Sequence, residues 1–311
     1  MTISADTQIT ELTVNDHACL TFGEPEELFD LTAAFVRDGL DGGLKVVWLS
    51  DATPDRATAE LARRGIAVEE ALASGQLVAA SYDGRLLDGQ VFSAGHAMTW
   101  LEREMQRAGN QGLRLAVDMS WALGPVTGVE HLPEFEEQVA AALAGTATSV
   151  LCQYDRERFD PVTLASVAAF HTRSVAAATY HADVMLRICR QYAPAGIRLA
   201  GELDYQACDS LALALTEAIR LEGDVTVNAV PLAFIDVTCA RMILDAARGL
   251  DAARGLEAAR GLDAARGLDT GRGQPEARRM ILRCRPGLAA RFVLLGAADI
   301  PALRVVTVDD H

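Results

Sequence analysis

Residues 44–50, Leu44-Lys45-Val46-Val47-Trp48-Leu49-Ser50, decide the fold of the first half of this chain. The run is short, apolar and β-rich, and it follows the turn signal Asp41-Gly42-Gly43, so it reads as a buried strand. Upstream, Leu28, Leu31, Phe35 and Val36 recur at helical spacing and Gly39 stops the pattern, which predicts a helix over 26–39. Downstream, 55–64 is helical and Gly65 ends it. Further strands are expected at 77–81, 113–118 and 149–154, with helices at 94–108, 132–143 and 162–177. Strands alternating with helices of this length imply a parallel sheet covered on both faces.

From Asp183 the texture changes. Residues 184–190 and 197–203 read as two strands, followed by a helix over 205–220 and a strand over 225–230. A helix from Val237, a strand at 280–285 and a helix at 287–295 complete a small α/β domain of order β-β-α-β-α-β-α. The expected domains are therefore 1–182 and 183–311. The second contains a six-residue repeat over about 245–275, in which Leu244-Asp-Ala-Ala-Arg-Gly249 recurs from Leu250, Leu256, Leu262 and Leu268. Six helical residues turn through about 240°, so successive leucines should fall on different faces, and each Gly costs roughly 1 kcal/mol relative to Ala. The repeat is expected to be a solvated, partly helical excursion. Six residues are too few for a helical solenoid unit.

The chain has 311 residues, 50% of them hydrophobic, and a net charge of −15. Residues 1–182 hold 26 acidic and 12 basic side chains, so nearly all of that charge lies in the first half. Neither half offers a basic surface for phosphates, which argues against nucleic acid as a partner. No apolar run reaches the roughly 20 residues needed to span a bilayer, and no signal peptide is visible at the N-terminus. A cytoplasmic location without membrane attachment is expected. The six cysteines, Cys19, Cys152, Cys189, Cys208, Cys239 and Cys284, are scattered without a CxxC pair, as expected of thiols in a reducing compartment.

In the second half, Leu199-Ala-Gly-Glu-Leu-Asp204 is followed by a helix. The strand 225–230 leads into Phe234-Ile-Asp236, and Leu282-Arg-Cys-Arg-Pro286 precedes a last helix. This ordered set resembles the STAS family, over about 100 residues once the repeat is set aside. The resemblance implies a protein-docking domain of the anti-sigma-factor antagonist type, whose partners are kinase-type anti-sigma factors. In that family a Ser after the Asp at a helix start is phosphorylated, and the added charge breaks the complex. Here Asp236 matches the Asp, but Val237 follows it, Thr238 comes one later, Cys239 stands where Gly is usual, and Asn228 replaces a frequent Asp. Asp236, Val237, Thr238 and Asn228 are thus the docking candidates. Either Thr238 accepts the phosphoryl group, or the domain docks constitutively or under control of the first half.

In the first half, His17-Ala-Cys19, Val117-Asp-Met-Ser-Trp-Ala-Leu123, Cys152-Gln-Tyr-Asp155 and His171 resemble the MEDS sensory domain, across most of 10–180. That resemblance implies a RecA-like α/β core sensing small hydrocarbon derivatives, hence a small hydrophobic ligand. No GxxxxGK[ST] phosphate loop is present, so the half reads as a nucleotidase fold without its chemistry, and the chain as a whole is expected not to be an enzyme. His17, Cys19, Cys152 and His171 are the soft-ligand set, with Asp155 beside them. Brought together, they could contact a ligand or a tetrahedral Zn²⁺; no other cofactor is indicated. Two functions follow. One is a regulator whose sensory domain controls a STAS module that binds an anti-sigma factor. The other is a metal- or small-molecule-binding sensor whose STAS domain mediates self-association.

Overall fold

The strand at the heart of the first half lies one residue inside its expected start, at Lys45–Leu49, with four of its five residues buried. A computed structural model describes residues 7–264 and 278–308 of the chain. It divides into two units, Met1–Ala177 and Ala178–His311. The boundary falls five residues before the expected one, because 179–182 pairs as a strand in the second sheet.

The first unit runs β1 (His17–Phe22), α1 (Pro25–Asp41), β2 (Lys45–Leu49), α2 (Pro54–Arg63), α3 (Val68–Ala73) and β3 (Leu77–Ala80). It continues with β4 (Leu87–Asp88), β5 (Val91–Phe92), α4 (Ala94–Ala108), β6 (Leu113–Asp118), α5 (Leu132–Leu143), β7 (Thr148–Asp155), α6 (Pro161–Ala168) and β8 (Arg173–Val175). Its main sheet has the order β3-β2-β6-β7-β1-β8, parallel throughout. One face packs Cys19, Leu49, Val117, Cys152 and Tyr154 into a core with Leu101 of α4 and Phe135 and Val139 of α5. On the other face Gln153 donates to Thr32 of α1 at 2.7 Å. The period-two alternation of β7 thus sends Cys152 and Gln153 to opposite layers.

Only two residues, Gly23 and Glu24, separate β1 from α1, and the Gly23 N–H donates to the buried Glu27 carboxylate at 3.0 Å. The helix expected over 162–177 ends at Ala168. Beyond it, the Thr172 N–H donates to the His17 carbonyl at 2.8 Å, and β8 pairs along β1. The open side of β1 would otherwise leave a row of unpaired backbone groups, so sheet pairing wins over the helical propensity of the alanines.

The second unit runs β9 (Thr179–Ala182), β10 (Leu186–Tyr192), β11 (Ala195–Leu203), α7 (Cys208–Leu221), β12 (Val225–Ala229), β13 (Leu232–Ile235), α8 (Val237–Ala264), β14 (Met280–Cys284), α9 (Pro286–Leu294) and β15 (Leu303–Thr307). Its sheet has the order β15-β14-β12-β11-β10-β9, with β13 also on β11. The strands β9, β10 and β11 are antiparallel neighbours, and the other pairings are parallel. The sequence did not predict β9, β13 or β15. Gly201 adopts φ +100°, and a Cβ there would collide with the Met185 carbonyl, so only glycine fits this crossing.

The hexapeptide repeat behaves differently from its expectation at its start. Cys239, Ala240, Ile243, Leu244, Ala247 and Leu250 of α8 are all buried in the second core. At about 100° per residue these six positions form one stripe about 140° wide, and Leu250 falls at its margin, about 120° from Leu244. The first repeat copy therefore gives Leu244 and Ala247 to the core, while Asp245, Arg248 and Gly249 stay exposed. The copies after Ala264 lie outside the described residues.

Candidate functional site

In β1, His17 and Cys19 are two residues apart, so both side chains take the face covered by α5. In β7 the same face receives Cys152 and Tyr154, and the parallel register sets Cys19 directly beside Cys152. α5 lays Leu132, Phe135, Glu136, Val139 and Leu143 against the sheet, all buried, and Glu136 is the one acid among them. The turn after α6 brings in His171, whose side chain is only 1% exposed.

Four of these side chains converge. His17 Nε2 lies 3.0 Å from Glu136 Oε2, and Cys152 Sγ lies 3.6 Å from both His17 Nε2 and Glu136 Oε2. His171 Nε2 approaches the same Oε2 at 3.6 Å. The imidazoles of His17 and His171 pack with centroids 4.0 Å apart and their planes tilted by 35°. The Tyr154 hydroxyl donates to the other oxygen of Glu136, and His171 Nδ1 lies 2.8 Å from the Val167 carbonyl. The four offer ligand atoms that all lie within 4.8 Å of one another.

Burial alone would discourage Glu136 from ionising. The hydrogen bond from His17, the nearby imidazoles and the Tyr154 hydroxyl reverse that and hold its carboxyl below the usual range. Burial pushes His171 down to about 4, against the pull of Glu136. Cys19 is raised to about 12, and Cys152 well above an ordinary thiol, by burial and then by Glu136. The pocket thus favours a carboxylate facing a neutral His171 imidazole and neutral thiols.

The sequence-derived set is partly assembled here. His17, Cys152 and His171 meet; Cys19 lies alongside, outside the four-atom group. Asp155 does not join, because it is three residues from Cys152 and so faces the other side, where its carboxylate accepts from the Glu157 N–H at 2.9 Å. Glu136 was missed. Its signal lay in the sequence: an acid at a position of the Leu132, Phe135, Val139, Leu143 stripe, where an apolar residue is expected.

In the second unit, Asp236 caps α8 by accepting from the Cys239 N–H at 2.7 Å. Val237 and Thr238 are exposed, as is Phe234 on β13. Cys239 is buried and donates from its thiol to the Asp204 carbonyl at 3.1 Å. Asn228 stands apart from this tip. It is paired in register with Arg198, five residues along β11 from the Leu203 that faces Ile235, which is about 16 Å. Its amide donates to Gln191 at 2.8 Å, a bond that ties β12 to β10. Among the described residues no helix is long and apolar enough to cross a membrane.

The family model described as MEDS, "MEthanogen/methylotroph, DcmR Sensory domain", matches residues 16–172, which contain all four clustered side chains. No curated protein matches the chain. Among solved structures, the chain is similar to a KaiC-like protein from the hyperthermophilic archaeon Pyrococcus horikoshii OT3, at 11% identity and a TM-score of 0.44, covering 60% of this chain and 88% of that one. It is also similar to the flagellar accessory protein FlaH from Methanocaldococcus jannaschii, at 13% identity and a TM-score of 0.42, covering 60% and 83%.

Proposed function

The chain belongs to the MEDS family through residues 16–172, and from that premise we propose a signal-transduction protein whose first unit senses and whose second unit reports. The sensory input is read at the buried His17, Glu136, Cys152 and His171 group. It holds a carboxylate and several neutral donors away from water, so whatever enters must differ in charge or chemistry from what it displaces. The start of α1 supports a non-enzymatic reading. Its short turn and the Glu27 carboxylate occupy the place where a phosphate loop would need free amides.

The second unit acts as a STAS-type antagonist module and docks on a kinase-type anti-sigma factor. The observation that carries this output is the tip of α8: a capped helix start with Val237 55% exposed and Phe234 42% exposed beside it. Thr238 at the same tip is the phosphoacceptor candidate, since a phosphate there would add about −1.5 to −2 charges to an apolar docking face.

Pull-down of the full chain with a panel of kinase-type anti-sigma factors tests the output. Retention by at least one, and its loss on Val237→Asp, is the expected result; retention by none overturns it. A second reading, self-association through the second unit, is favoured by Val293 and Leu294 at the end of α9, 54% and 86% exposed. Light scattering on the purified chain separates the two: a monomer removes the second reading.

A further inference from the structure

We infer that His17, Glu136, Cys152 and His171 form a four-ligand site for a zinc-class divalent ion. The inference rests on the sensory reading of this cluster and names what the cluster holds.

The spacing fits coordination. Zinc bonds of about 2.0–2.3 Å in a tetrahedron place ligand atoms about 3.3–3.8 Å apart. Of the six separations, four are 3.0 Å (His17 to Glu136) and 3.6 Å (Cys152–His17, Cys152–Glu136 and His171–Glu136), and all six lie within 4.8 Å, so a small inward shift of His171 completes the tetrahedron. The ligands come from β1, α5, β7 and the turn after α6, so the sheet and helix layers bring them together before any ion arrives.

The outer contacts fit as well. His171 gives its Nδ1 proton to the Val167 carbonyl, which leaves Nε2 as a bare lone pair aimed into the cluster. That Nε2 is buried and makes no hydrogen bond. A buried acceptor without a donor is costly, and a cation is what would satisfy it. Glu136 has one oxygen held by Tyr154, so it offers the other as a single-point ligand. His17 differs: its Nδ1 is buried and has no acceptor of the kind that holds His171.

Charge selects the ion. One thiolate, one carboxylate and two neutral imidazoles carry two negative charges, which a divalent ion cancels inside a buried site. On binding, the Cys152 thiol releases its proton to solvent as sulfur bonds the metal, and the His17 proton moves from Nε2 to Nδ1. A mixed sulfur, nitrogen and oxygen set of four suits Zn²⁺, whereas Mg²⁺ and Ca²⁺ demand six or more oxygens. α6 buries only Val167 of its eight residues, so lifting it with His171 opens a route for entry.

Equilibrium dialysis of the full chain against Zn²⁺, with metal analysis, tests the site. One zinc per chain is expected. His17→Ala, Cys152→Ala and His171→Ala should lose it while circular dichroism shows the fold retained, and Cys19→Ala and Asp155→Ala should keep it. Tyr154→Phe should weaken binding by about tenfold. With Co²⁺ in place of Zn²⁺, a thiolate-to-cobalt charge-transfer band should appear in the wild type and vanish in Cys152→Ser. No bound zinc in the folded wild type, or full occupancy in the ligand variants, overturns the inference. Bound zinc whose removal leaves docking unchanged refutes the sensory reading and leaves the site standing. Absent zinc with signal-dependent docking intact does the reverse.

Discussion

His17 Nε2 stands 3.0 Å from Glu136 Oε2, and neither side chain is more than 1% exposed. Glu136 also receives the Tyr154 hydroxyl, so one carboxylate ties β1, α5 and β7 together. Removing its charge leaves His17 and Tyr154 without their acceptor in a sealed site. Glu136→Ala in metal-free protein should lower the unfolding free energy by about 3–5 kcal/mol, and Tyr154→Phe by about 1–2 kcal/mol, both read from urea unfolding.

The same cluster makes the metal-free protein acid-sensitive. Burial holds His171 down to about 4 in the folded state, against an ordinary 6.5. Between those values the unfolded chain takes up a proton that the folded chain refuses, so stability rises with pH across the window. The contribution is fully present above about pH 6.5 and falls away towards pH 4, by about 3 kcal/mol in all. Glu136, held below its ordinary range, loses stability in the same direction as the pH falls through its folded value. Unfolding midpoints measured from pH 4 to 8 should drop steeply in the wild type and less in His171→Gln.

Thiol labelling should follow burial rather than sequence position. Cys19, pushed up to about 12, and Cys152, raised well above an ordinary thiol by burial and then by Glu136, are neutral and sealed, so neither presents a thiolate. Cys208 is the one partly exposed cysteine of the six. Ellman's reagent at pH 8, followed by peptide mapping, should modify Cys208 first. It should reach Cys19 and Cys152 only at the rate of unfolding; early labelling of Cys152 would mean that the face of β7 opens in the native state.

Much of this was legible in the chain because the first sheet is buried on both faces and its strands carry short apolar runs such as 46–49 and 115–117. The edge strands were not. β9, β13 and β15 are short and half-exposed, and their period-two pattern is too brief to separate from a loop. His17, Cys152 and His171 were found as ligand-type residues, but their meeting depends on strand order, which no local pattern encodes. Asp155 was grouped with Cys152 by proximity in sequence, although an odd spacing on a strand sends it to the other face. Leu250 was assigned to solvent because a 120° step looks large, yet it fits a stripe that wide.

Val237 and Leu244, both on α8, should separate docking from stability. Leu244 is fully buried among the second-unit core, so Leu244→Ala should cost about 2–5 kcal/mol, with any loss of docking tracking the unfolded fraction. Val237 sits at the first position of α8, 55% exposed, just after the Asp236 cap. An acid there meets the positive end of the helix, so Val237→Asp should leave the unfolding midpoint within about 0.5 kcal/mol of wild type or raise it. If this tip seats an apolar partner surface, the same change should weaken anti-sigma-factor binding by at least about tenfold, near 1.4 kcal/mol, in calorimetry. Thr238→Glu, placing charge one residue further, should act in the same direction. A Val237→Asp chain that binds as tightly as wild type would move the docking face away from α8.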